Sequence, residues 1–104
     1  MANARVLYDK KVYLSEGKFE IRVIAYEVSK NKKFPEGVKL RCVLLNINLK
    51  IARLLLDNHE PYGYHLHTSM AHDKNHRVSV NVNNYEEAIE FFISEAQEVI
   101  KNEI

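Results

Sequence analysis

The sequence predicts an α+β domain: a run of strands followed by one helix, and so a small antiparallel sheet with a C-terminal amphipathic helix packed on one face. Two observations carry this. FEIRVIAYEV, VKLRCVLLNINL and HRVSVNV alternate apolar and polar residues with the period-two pattern of half-buried strands. The tail NNYEEAIEFFISEAQEVIKNEI then switches to helical spacing. At 104 residues the chain reads as a single domain, 1–104, long enough to bury its own core.

The elements follow in order. KVYL (11–14) reads as a short strand and SEGK (15–18) as a turn. In 19–28, Phe19, Ile21, Val23 and Ala25 share one side, and Glu20, Arg22, Ile24 and Tyr26 the other. SKNKKFPEG (29–37) is a basic loop broken by Pro35 and Gly37. In the next strand, 38–49, Lys39 and Arg41 share one face and Val38, Leu40 and Cys42 the other. KIARLLLD (50–57) is a third strand turning back on the second. In 76–82, Val78, Val80 and Val82 are expected inward and Arg77, Ser79 and Asn81 outward. Asn84 caps the helix, with Glu87 at the capping-box position. Tyr85, Ala88, Ile89, Phe92, Ala96, Val99 and Ile100 form its apolar stripe.

No stretch approaches the roughly 20 apolar residues that span a bilayer, and MANARVLYDKK lacks the apolar centre of a signal peptide. The lone Cys42, inside RCVLL, reads as a small core residue and permits no internal disulfide. These features predict a cytoplasmic protein with no membrane partner. Charge is uneven. Six glutamates against Lys101 give residues 85–104 a charge of −5, and 14 basic against eight acidic groups give residues 1–84 a charge of +6. A basic body suits a polyanion and an acidic face suits a basic partner.

All five histidines fall between His59 and His76, and DNHEPYGYHLH holds three of them. Three chemistries compete. His65 and His67, two apart on a strand, could ligate zinc with His59, His72 or His76 as a third ligand. They could instead work without metal or other cofactor as base and acid in RNA cleavage. One would deprotonate the 2′-hydroxyl and the other protonate the leaving 5′-oxygen. Lys39 and Arg41 would then stabilise the crowded phosphorane charge, Asn58 would add a contact to the RNA, Asp57 would orient an imidazole, and Tyr62 or Tyr64 would stack on a base. As exposed catalytic groups, the two imidazoles should be removable with little change in melting temperature. The third chemistry is a polar loop that only makes hydrogen bonds, with Asp57 and Asn58 forming a local turn. Gly63 lets the backbone bend toward the next strand.

The order FEIRVIAYEV, a Pro/Gly loop, VKLRCVLLNI, LLLDNHE, GYHLH and a closing amphipathic helix resembles the TumE-like toxin components of toxin–antitoxin pairs. The likeness runs from about residue 19 onward and is most specific at Asp57, Asn58, Gly63, His65 and His67; Lys39 and Arg41 match more loosely. Two departures stand out. Tyr62 occupies a position where many relatives carry a basic residue, and TSMAHDKNH replaces a short Gly-bearing turn. The resemblance implies a cognate antitoxin, commonly a DNA-binding protein, as partner. Joined to the residues, it gives an expected endoribonuclease acting on RNA. The runner-up is a non-enzymatic binding module whose His-rich loop is a partner or metal-binding surface. Homodimerisation is left open.

Overall fold

The computed structural model of the chain describes residues 5–32, 34–58, 63–67 and 77–103. They form strands β1 (Arg5–Leu14), β2 (Phe19–Glu27), β3 (Val38–Asn46), β4 (Ile51–Asp57), β5 (His65–His67) and β6 (Arg77–Ser79), then helix α1 (Tyr85–Glu103). The six strands lie in sequence order in one sheet, each antiparallel to its neighbours.

Alternation sets which face is buried, and register aligns it from strand to strand. Ile21, Val23 and Ala25 of β2 stand opposite Leu44, Cys42 and Leu40 of β3. Cys42 and Leu44 in turn meet Leu56 and Leu54 of β4, and Leu56 meets Leu66 of β5. All are buried, and α1 closes over them with Ala88, Ile89, Phe92, Ala96 and Ile100. Arg53 is the extra residue of a bulge, because Leu44 pairs with Leu54 while Leu45 already pairs with Ala52.

The helix start uses its expected cap. Asn84 Oδ1 accepts the amide of Glu87 at 2.9 Å. The Glu87 carboxylate reaches back one residue further than a standard capping box, to the amide of Asn83 at 3.0 Å.

Three expectations change. The first strand begins at Arg5 rather than residue 11. It is an edge strand, and Arg5, Asp9, Lys10 and Lys11 mask its alternation while discouraging edge-to-edge association. The second predicted strand stops at Asn46, and residues 47–50 form a turn in which Lys50 has φ 57°. The last strand covers only Arg77–Ser79, and Val78 is 51% exposed rather than inward. Val78 is in register with Leu66 on the sheet's final strand, whereas α1 packs on β2, β3 and β4. Val80 and Val82 do pack against the core.

Cys42 is fully buried, as expected. Burial, with the Asp57 carboxylate adding to it, pushes its thiol from 9.0 up to about 12. The folded protein should therefore resist iodoacetamide at pH 8 and take up one equivalent once unfolded in urea. A raised folded value also fixes the sign of the pH effect. Stability from the neutral thiol is complete below pH 9 and is lost as pH rises toward about 12. Rapid labelling of the folded protein at pH 8 would contradict this packing.

Candidate functional site

The sheet has a second face, turned away from α1. Alternation sends Lys39 and Arg41 of β3, Asp57 of β4, and His65 and His67 of β5 to that face, because their neighbours Leu40, Cys42, Leu56 and Leu66 enter the core. Register then makes one row of residues distant in sequence. Arg41 stands opposite Asp57, Asp57 opposite His65, and His65 opposite Ser79. Directly opposed side chains in antiparallel strands begin about 5 Å apart at Cβ. His67 lies in the next row, opposite Leu55. Lys39 stands opposite Tyr26 of β2, two residues along β3 from Arg41.

The two imidazoles meet edge to face, with ring centroids 5.1 Å apart and planes at 72°. Nδ1 of His65 lies 2.8 Å from the carbonyl oxygen of Gly63. A carbonyl can only accept, so Nδ1 carries the proton, and Nε2 holds the lone pair whenever the ring is neutral. The orienting partner of Nδ1 is therefore a backbone carbonyl, supplied by a glycine with φ 62°, a left-handed conformation that suits glycine. The bend expected at Gly63 is present, and it has this second use. The spacing Gly-x-His was the available signal for it.

The expected exposure of the imidazoles is overturned. His65 is 1% exposed and His67 is 8% exposed. β5 is an inner strand, flanked by β4 and β6, and all three of its residues are buried. Nε2 of His65 and Nδ1 of His67 are both shielded from solvent. In the described conformation neither ring edge is open to a phosphodiester.

Asn58 holds the neighbouring strand end together. It is 6% exposed. Its Oδ1 accepts the Leu40 amide at 2.9 Å, and its Nδ2 donates to the Val38 carbonyl at 2.8 Å. The side-chain amide acts as one more peptide group of β4, extending the ladder with β3 beyond Asp57. The Asp57 carboxylate accepts the amide of Asn58 at 2.7 Å, the local turn chemistry expected of this pair. Tyr64 is half-buried, and its hydroxyl donates to Glu36 Oε2 at 2.8 Å, tying the β2–β3 loop to the start of β5. Burial first, then the Glu36 carboxylate, push the Tyr64 phenol well above its ordinary range. Tyr62, His59, His72 and His76 lie outside the described residues.

Lys39 and Arg41 are exposed. Among the described residues the ion pairs on this face are Lys11–Glu20 at 3.5 Å and Arg22–Asp9 at 3.6 Å, and neither involves Lys39 or Arg41. Both cations are exposed and have no salt-bridge partner among the described residues. Tyr26, opposite Lys39, was not singled out from the sequence, although its alternation already put it on this side. Among the described residues no three His, Cys, Asp or Glu side chains converge as a metal site. No helix among them is long and apolar enough to cross a membrane.

Compared with family models, curated proteins and solved structures, the chain matches none.

Proposed function

We propose that this protein is a cytoplasmic toxin of a toxin–antitoxin pair that cleaves RNA without a metal, partnered by a DNA-binding antitoxin. One observation supports the reading above the others: Arg41, Asp57 and His65, distant in sequence, stand in a single row on the face turned away from α1, with His67 touching His65. Cleavage by this set removes the 2′-hydroxyl proton to the Nε2 lone pair of His65. The 2′-oxygen bonds to phosphorus, the bond to the 5′-oxygen breaks, and His67 protonates that leaving oxygen. Lys39 and Arg41 hold the phosphate and offset the charge that builds on it, and Asp57 stands beside His65 in the row. Because both rings are buried, the site must open before RNA reaches it.

A second reading is favoured by that same burial. In it, His65 and His67 are packing residues, and Lys39, Arg41 and Tyr26 form the surface of a non-enzymatic binding module.

The deciding experiment incubates purified protein with single-stranded RNA in EDTA at neutral pH, beside the Lys39→Ala/Arg41→Ala variant, whose exposed changes should leave folding intact. The toxin reading expects fragments ending in 2′,3′-cyclic phosphate, unaffected by chelation. The variant should cleave about 10²-fold more slowly or worse. Its RNA affinity should also lose about 1.4 from the slope of log K against log salt, roughly 0.7 for each phosphate contact. Cleavage at the same rate by both proteins sinks the proposed site. Binding that depends on these cations without any cleavage leaves the binding module. Growth arrest on induction by the wild type, and not by the variant, is the corresponding result in cells.

A further inference from the structure

The face of β1 turned toward α1 carries a feature unrelated to the histidine row. α1 packs on β2, β3 and β4, and where β1 extends beyond its flank a cavity of about 150 Å³ opens. Ile21 and Val23 line it from β2, Val12 and Leu14 from β1, and Ile93 from α1. The remaining contributors are Tyr8, Gln97 and Lys10. Lys10 is the one charged residue of the lining, and there is no acidic residue to pair with it.

The position of Lys10 is informative. Its register partner is Val23, a core residue, so it lies on the apolar side of β1. The adjacent Lys11 lies on the opposite side, where Glu20 neutralises it. No ion pair among the described residues involves Lys10. The long stem of a lysine can lie along an apolar wall while its ammonium stays in water. The result is an apolar chamber with a single positive charge and two neutral polar groups.

We propose that this cavity binds a small amphipathic carboxylate, with an aliphatic or aromatic tail of about six carbons inside and the carboxylate on Lys10. Size sets the tail: a cavity of about 150 Å³ with an apolar lining accepts a molecule the size of benzene. Charge sets the head, since an ammonium with no acidic residue beside it in the lining selects an anion over a neutral or cationic group of equal length. Gln97 and Tyr8 can donate further hydrogen bonds to the same head. This site stands independently of the RNA reading.

The test is an NMR titration of the intact protein with hexanoate, hexan-1-ol and hexylammonium. Hexanoate should bind most tightly and hexylammonium least. Shifts should concentrate at Val12, Ile21, Val23 and Ile93. The Lys10→Met variant keeps the apolar stem and removes the charge. It should weaken hexanoate about three- to fivefold, the upper part of the range of one solvent-accessible ion pair, and leave hexanol unchanged. Val12→Trp should fill the chamber and abolish binding of all three; if that variant fails to fold, Lys10→Met still decides. Equal binding of hexanoate and hexanol, shifts centred elsewhere, or no binding by the wild type at millimolar ligand would each overturn the proposal.

Discussion

Asn58→Ala should cost about 2–4 kcal/mol of stability, because it strands one buried and one part-buried backbone group at once. The Leu40 amide loses its acceptor and the Val38 carbonyl its donor. Both belong to β3, whose next residue but one from Val38 enters the centre of the core. For a domain whose total stability is on the order of 5–15 kcal/mol, this is a large share. The melting temperature should fall by roughly 10–25 °C. Asn58→Asp separates the two bonds. A carboxylate still accepts from Leu40, but its second oxygen then faces the Val38 carbonyl, and a negative charge is buried. The variant should be at least as unstable as Asn58→Ala at pH 7. A carboxyl in that position is favoured neutral, so its folded pKa lies above the ordinary value of about 3.9. Its stability should therefore recover as pH falls, when the protonated acid can donate to Val38. Thermal melts of the three proteins at pH 5 and pH 7 check both steps. An Asn58→Asp melt that is insensitive to pH would show that the bond to Val38 carries little.

Asn58 also marks a limit on what local sequence encodes. Asp57-Asn58 was legible as a polar pair at a strand end, and part of its expected turn chemistry is there. That the Asn58 amide would replace a peptide group of β4 was not legible, because its partners are 18 and 20 residues away. The same distinction holds across the molecule. The inward residues of β2 and β3, the stripe of α1 and its Asn84 cap follow from local period and local chemistry, and they needed no partner to be identified. The period of β1 is hidden before residue 11 because an edge strand carries charges. The burial of His65 and His67 was not legible either, because three residues, HLH, announce neither their strand neighbours nor what packs over them. Residue type brought Arg41, Asp57 and His65 under suspicion. Only the register, which the Arg53 bulge and the turn lengths set, aligned them in one row.

His65→Ala/His67→Ala should be among the least stable variants of this chain, although both residues are polar. Each substitution removes a buried ring about as large as a core aliphatic side chain, and losses of that kind cost about 2–5 kcal/mol apiece. The rings touch, so the double change will not equal the sum of the singles. His65→Ala carries a further term, since the Gly63 carbonyl loses the Nδ1 donor at 2.8 Å. His65→Asn is the informative companion, because a shorter amide retains a donor but not the ring. If the Gly63 bond matters, His65→Asn should melt above His65→Ala by the equivalent of about 1 kcal/mol. If only volume matters, the two should melt together. Under the proposed reading, loss of activity in the double alanine variant therefore does not by itself assign catalysis to the imidazoles, because an unfolded protein is also silent. The exposed pair Lys39 and Arg41 breaks that ambiguity: their removal leaves the core intact, so any loss of RNA cleavage belongs to the face they occupy. A double histidine variant that melts within about 1 kcal/mol of the wild type would mean that the rings do not pack as described, and would restore them as freely accessible groups.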